Sequence, residues 1–402
     1  MTTITSIDLY SADTYATRMP HKEFAQLRRD EPVRWQDEPN GPGYWALLRY
    51  ADIVSVSSDN SLFSSERGGT NIEDQPPEAM VLLRTLLINM DPPRHTKYRR
   101  LVSTGFTPKI VAQLEPHVRA TTARIVDSVI ERGAGDFVTD IAARLPLAVI
   151  SDMLGVPEED HRRVFEWSNR LIGFDDPEYH TSPEDGRIAA MEMFAYAHGL
   201  ATERKANPKS DIVSILMGAE VDGERLTEGE FDGFFILLSV AGNETTRNLI
   251  SGAMLALIEH PEQRARLIAD PALMPTAVEE FLRWVSPLIY FRRTLQRDVA
   301  VGGKQMREGD KVAMYYPSGN RDESVFEDAL AFDVSRAPNP HMAFGGSGPH
   351  FCLGASLARL EIRCMFEELM RRLPALELDG DVQRLRSNFI NGIKHMPVRW
   401  QA

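Results

Sequence analysis

Apolar residues recur along this chain with two periods. In the first hundred positions, short alternating runs are mixed with helical spacing. YWALLRY (44–50) alternates as a strand does, and PVRW (32–35) is placed to pair with it. From residue 92 to about 287 the spacing is mainly helical. QLEPHVRATTARIVDSVIERG (113–133) stops at a glycine, a usual helix end, and a second helix runs from about 275 to 285 and is closed by Pro287. Further on, VAVGG (299–303) and DKVAMYY (310–316) read as strands about Gly302-Gly303. A loop rich in Pro, Asn and Asp covers 317–341, a helix covers about 353–373, and NFINGIKHMPVRW near the end is strand-like again. No linker, repeat or low-complexity tract divides these parts. Residues 1–402 therefore read as one mainly α domain with a minor β region.

One stretch breaks its own pattern. TEGEFDGFFILLSVAGNETTRNLISGAMLALIEH (227–260) opens with a capping box, Thr227 with Glu230, and is followed by Pro261. A helix of this length spans about 45 Å. Its flanks are apolar almost all round, which predicts burial, yet its centre reads Gly242-Asn243-Glu244-Thr245-Thr246-Arg247-Asn248. A carboxylate inside a buried helix is costly unless paired, hydrated or protonated. The middle is either an exposed kink or a polar notch where a small molecule binds and protons move.

Composition narrows the field. The net charge of −13 disfavours general nucleic-acid binding. Two cysteines, Cys352 and Cys364, make no disulfide framework and suit a reducing cytoplasm. The N-terminal residues lack a signal-peptide core, and no window reaches the roughly 18 apolar residues of a spanning helix, so the expected location is cytoplasmic.

Cys352 closes the run FGGSGPHFCLG (344–354), with a helix just behind it. Free N–H groups and the helix dipole at such a place favour a thiolate, and glycines let the backbone approach a neighbouring group closely. Cys364 lies on the apolar face of that following helix and reads as core.

Taken together, these residues resemble the cytochrome P-450 family of haem-thiolate monooxygenases, over nearly the whole chain. The resemblance implies that family's fold, with the long central helix over a buried haem b (heme b, iron protoporphyrin IX). It matches Cys352 to the axial iron ligand, with Phe344 eight residues before it, one more than the commonest spacing. Ala241-Gly242-Asn243-Glu244-Thr245-Thr246 matches the oxygen-binding groove, with Glu244 and Thr245 as the acid and alcohol that deliver protons. Glu280 and Arg283 match E-x-x-R, and Arg336 the loop arginine that joins them, in a structural role. His95, Arg99, Arg293 and His350 match cations that hold the propionates. Ala241, Phe344 and Gly354 complete the cofactor contacts.

Apolar candidates for the substrate wall are Leu87, Ile172, Phe174, Val240, Ala241, Leu288, Ile289 and Ile393. MDPPRHTKYRRLVSTGFTP and WSNRLIGFDDPEY are similar to members acting on sterol side chains and methyl-branched lipids. The resemblance implies hydroxylation of an unactivated C–H on a steroid, terpenoid or branched chain, using O2 and two electrons from a ferredoxin and its NAD(P)H-dependent reductase. Lys97, Arg100, Arg359 and Arg363 form a basic patch on which an acidic ferredoxin is expected to dock. Rival readings are a haem carrier without turnover, another haem reaction such as epoxidation or C–C coupling, and a phosphate loop. The last lacks the Lys-Ser/Thr ending that such a loop needs.

Overall fold

The computed structural model describes residues 7–401 other than 174, 180, 181, 210 and 222, together with all side chains in that range except those of 172, 183, 221 and 224. The apolar flanks of the 227–260 stretch decide the architecture. They form one continuous helix, Glu228–Glu259, whose capping box is closed in both directions: Glu230 N–H donates to Thr227 Oγ1 (3.3 Å) and Thr227 N–H to Glu230 Oε2 (3.0 Å). At 32 residues it is about 48 Å long. An all-round apolar helix must be wrapped on every side, and this one is. Helices Arg144–Met153, His161–Ile172, Pro183–Ala206, Met274–Val285 and Ala355–Arg372 all pack on it. The largest apolar core lies among these helices, and two smaller ones flank the sheet.

The helix read at 113–133 begins earlier, at Pro108, because Thr107 accepts the Ile110 N–H and Pro108 fits the first turn. Helix Met274–Val285 ends at Ser286, which turns left-handed at φ 46° before Pro287.

The main sheet has five strands in the order Val33–Gln36, Tyr44–Leu47, Lys311–Tyr315, Tyr290–Leu295, Phe63–Ser64. The pairing expected between 32–35 and 44–50 is present and antiparallel, with Trp35 opposite Trp45. The strands about Gly302-Gly303 differ from expectation. The hairpin there joins Val299–Val301 to Lys304–Met306, and Lys311–Tyr315 leaves it to enter the main sheet. Tyr290–Leu295 (YFRRTL) carries two arginines that hide its alternation, and both are buried. Arg292 is held there by Asp74 Oδ1 (2.7 Å) and the Ile72 carbonyl (2.9 Å). Among the described residues no helix is long and apolar enough to cross a membrane.

Glu280 and Arg283 share one face of helix Met274–Val285 and are fully buried. Both carboxylate oxygens take a guanidinium N–H at 2.7 Å. The same carboxylate accepts from Asp333 N–H (3.0 Å) and Asn339 Nδ2 (3.1 Å), and Arg336 Nε lies 3.2 Å away. Arg283 also donates to the carbonyls of Asn320, Ala329 and Ala331. One helix thereby fixes the strandless stretch from 320 to 339 that leads to the Cys352 loop.

Removing one partner from a buried ion pair strands the other charge. Arg283→Leu is expected to lower unfolding free energy by about 3–5 kcal/mol, read as a fall in the urea midpoint. A change under about 1 kcal/mol would mean the network behaves like a surface pair.

Candidate active site

The Cys352 loop is shaped by glycines in conformations that other residues avoid: φ is 94° at Gly345, 69° at Gly346 and 93° at Gly348. At Gly348 a Cβ would also lie 2.4 Å from the Ser57 carbonyl oxygen. Ser57 Oγ sits 2.7 Å from the carbonyls of both Gly345 and Ser347 and shares its proton between them. Cys352 N–H donates to the Phe344 carbonyl (3.0 Å), closing the loop. The helix behind it starts at Ala355, two residues later than the sequence suggests, with Gly354 as its cap. The Gly354 N–H therefore points at the Cys352 sulfur. Burial pushes the thiol up, while that N–H and the Arg99 and Arg359 guanidiniums pull it down.

Cys352 opens into an interior chamber of about 1300 Å3. Leu87, Val240, Ala241, Glu244, Thr245, Leu288, Phe344 and Gly354 line the same chamber, as do His95, Arg99 and His350. The His95 and His350 rings lie 4.2 Å apart. Burial, then the arginine charges nearby, lowers His95 to about 4 and His350 to about 2, so both are neutral imidazoles here. His350 Nε2 is 3.3 Å from Ser65 Oγ, whereas both ring nitrogens of His95 are buried without a partner. Arg293 is buried behind them, off the chamber wall, with its Nε unpartnered. Arg99 donates to the Phe351 carbonyl. Buried donors lacking acceptors beside a chamber suit a ligand that brings carboxylates. A macrocycle with acidic arms, seated over Cys352, fits these residues.

On the central helix, Glu244 is buried and paired with Arg247, which also donates to Asn169 Oδ1 (2.7 Å) on helix His161–Ile172. Glu244 Oε1 has no partner. Burial raises its carboxyl, and Arg247 opposes that shift. Thr245 Oγ1 donates to the Ala241 carbonyl (2.7 Å), one turn back. The polar centre is thus buried rather than an exposed kink.

The substrate wall departs from the expected one at two places. Ile289 faces the sheet core beside Tyr290 and Tyr315, and Ile393 lies in the helical core. Leu288 bridges to Ile390, and both line the chamber. Successive residues of an extended segment face opposite ways, so Ile289 has to point away. Phe174 and the Ile172 side chain fall outside the described residues. Phe234, Leu237 and Leu238 also line the chamber and were not anticipated, although helical spacing from Ala241 reaches them.

The basic patch is partly neutralised. Arg359 clasps Glu279 with two bonds (2.7 and 2.8 Å) and stacks over Phe344, and Arg363 pairs with Glu115 (3.0 Å).

The family model for Cytochrome P450 matches residues 188–390. The chain is 45% identical over 409 positions to a methyl-branched lipid omega-hydroxylase of Mycobacterium tuberculosis, covering 99% of this chain and 95% of that one. This chain is a cytochrome P450. It is 43% identical over 404 positions to a steroid C26-monooxygenase of Rhodococcus jostii, covering 98% and 85%. A Mycobacterium marinum cytochrome P450 solved in complex with pseudoionone superposes with a TM-score of 0.92 at 42% identity, covering 98% of both chains. The enzyme is a monooxygenase of that family.

One chamber acid of this cytochrome P450 was not anticipated. Glu361 lies four residues after Leu357 on the buried face of helix Ala355–Arg372, and its Oε2 has no partner. A glutamate in step with Leu357 and Leu360 on an apolar face was the available signal. Burial alone raises its carboxyl to about 8. The folded protein therefore keeps a proton that the unfolded chain loses. That contribution is full below the ordinary carboxyl range and lost as pH rises toward about 8. Relative to Glu361→Gln, the wild-type enzyme should lose up to ~1.4 kcal/mol of stability per pH unit across that window, measured by denaturant melts at several pH values. Parallel curves for the two proteins would contradict the assignment.

Proposed function

We propose that this cytochrome P450 hydroxylates an unactivated C–H at the apolar end of a steroid side chain, a methyl-branched lipid or a terpenoid. The observation that carries the reading is convergence. Cys352, the unpartnered His95, and the Glu244–Thr245 pair open on one chamber whose remaining wall is largely apolar. At about 1300 Å3 it exceeds the roughly 300–1,000 Å3 of an ordinary small-molecule site, which leaves space for a macrocycle and a substrate together. The names of the lipid omega-hydroxylase and the steroid C26-monooxygenase support the substrate classes and the choice of a chain end. Pseudoionone in the Mycobacterium marinum relative supports the terpenoid option.

In this reading Cys352 would hold haem b as a thiolate, Arg99, with Arg293 behind it, would offset the charge of its propionates, and the neutral His95 and His350 would donate hydrogen bonds to them. Phe344, Ala241 and Gly354, which line the chamber, would contact it. Bound haem supplies O2 activation with two electrons. The chain supplies the rest. The apolar wall, with Leu87, Val240 and Leu288, excludes water and turns the chain end inward. Glu244 holds a proton at Oε1, the oxygen that Arg247 leaves open, and the Thr245 hydroxyl passes it on by leaving the Ala241 carbonyl. Glu280, Arg283 and Arg336 keep the loop before Cys352 in place. Electrons come from a ferredoxin and its NAD(P)H-dependent reductase. The patch of Lys97, Arg100, Arg359 and Arg363 is the face on which an acidic ferredoxin would dock. The working location is the cytoplasm.

The test is the absorption spectrum of the reduced protein under carbon monoxide, followed by product analysis with each substrate class. A strongly red-shifted Soret band, lost in Cys352→Ser, is expected. A histidine-type band would overturn the ligand assignment. Glu244→Gln should cut product formation by about 10²-fold or more while leaving substrate dissociation unchanged. Equal loss of binding would instead point to a packing role.

A further inference from the structure

A second group of buried basic side chains lies at the end of helix Met274–Val285. His21 opens helix His21–Asp30, Arg321 follows Asn320 in the anchored stretch, and Arg384 closes the short strand Gln383–Arg384. None of the three lines the chamber. Two links tie the arginines to one helix end. Arg321 Nη2 donates to the Trp284 carbonyl (2.9 Å), and its guanidinium carbon stacks 4.3 Å from the centre of the Trp284 ring. Arg384 Nη2 donates to Asn391 Oδ1, and Asn391 Nδ2 donates to the next carbonyl, that of Val285. Both arginines act on His21. Burial first, then the charges of Arg321, Arg384, Arg28 and Arg283, hold its imidazole well below the ordinary value and so neutral.

The charges of this group are unevenly met. Arg28 pairs with Glu323 (3.0 Å) and Arg283 with Glu280 (2.7 Å). The acceptors just named for Arg321 and Arg384 are neutral amides. Glu280 also acts on Arg321, but its oxygens are taken up by Arg283, the Asp333 N–H and Asn339. Glu259, which acts on Arg384, is exposed. Three donors are left over: Arg321 Nη1, Arg384 Nε and His21 Nδ1 are buried and have no partner. The Arg321 residue is only 2% exposed. Stacking on an indole leaves the in-plane N–H groups of a guanidinium unsatisfied. A buried guanidinium with neutral acceptors and an idle N–H calls for a partner that accepts hydrogen bonds and carries negative charge. His21 and Arg384 are partly exposed as residues, which gives such a partner a way in from solvent.

We propose that Arg321, Arg384 and His21 bind one small inorganic anion, chloride or phosphate, at a site separate from the active-site chamber. The guanidiniums supply charge and one idle N–H each, and His21, with its proton at Nδ1, supplies a third. The occupant lies against Arg321, next to Asn320, whose carbonyl is held by Arg283 (3.0 Å). It thereby adds to the anchoring of the stretch that leads to Cys352.

The test uses the haem-loaded enzyme in its reduced carbon monoxide form, which is diamagnetic, with chloride as the probe. The chloride NMR line width is followed as chloride is added, and phosphate is then added as a competitor. With a net charge of −13 the chain has no general attraction for chloride, so saturable broadening reports a local site. Broadening that saturates, and that is lost in Arg384→Gln and in His21→Ala, is expected. Displacement by phosphate would support the proposal as an oxyanion site, and indifference to phosphate as a halide site. The same dissociation constant should govern stability. Above it, each tenfold rise in chloride should raise the folded-to-unfolded ratio about tenfold, read from urea melts against a bulky organic anion at equal ionic strength. Should Arg384→Gln fail to fold, His21→Ala carries the comparison. Broadening that never saturates, or that the folded variants leave unchanged, overturns the proposal and leaves water as the partner of these donors. So does a urea midpoint that chloride moves equally in the wild type and the variants.

Discussion

A single buried carboxylate organises the approach to the Cys352 loop. Glu280 takes two bonds from Arg283, one from a backbone N–H and one from Asn339, with Arg336 alongside. A charge without solvent is tolerable only when its lone pairs are met this completely. The consequence is topological. The stretch from 320 to 339 has no sheet or long helix to hold it, and it is fixed because its carbonyls and N–H groups converge on the Glu280–Arg283 pair. The Cys352 loop continues from that anchored stretch, and its glycines can adopt left-handed conformations against Ser57 because the ends do not move.

The central helix shows the opposite use of burial. Its apolar flanks lock it among five other helices, which makes its polar middle a rigid platform. Arg247 covers one oxygen of Glu244 and leaves the other unpartnered beside the chamber. The paired oxygen makes the carboxyl tolerable in the core, and the open oxygen is the one that the proposed proton transfer would use. The donors near Cys352 follow the same logic in reverse: His95 and Arg293 carry buried donors without acceptors, a state that an acidic cofactor arm would relieve.

Electrostatics therefore divides the chamber into three zones. The zone beside Cys352 is rich in donors, the middle is apolar, and the opening carries charged side chains of both signs.

Much of this was legible in the chain itself. The 228–259 helix, its cap and its anomalous polar centre follow from local rules, because capping boxes and all-round apolar spacing act within a few residues. The glycine run before Cys352 and the Glu280–Arg283 spacing were readable for the same reason, and the resemblance they carried led to the family. What needed the tertiary structure was everything set by partners distant in sequence. Lys311–Tyr315 joins the main sheet, rather than the Gly302-Gly303 hairpin, because Tyr44–Leu47 and Tyr290–Leu295 meet it from either side. Ile289 and Ile393 turn away from the chamber, while Ile390 faces it through a bridge to Leu288. Arg359 and Arg363 look free in the sequence and are paired in space. Periodicity tells which residues are buried; which interior they face, and which charge they meet there, is decided only when separate segments come together.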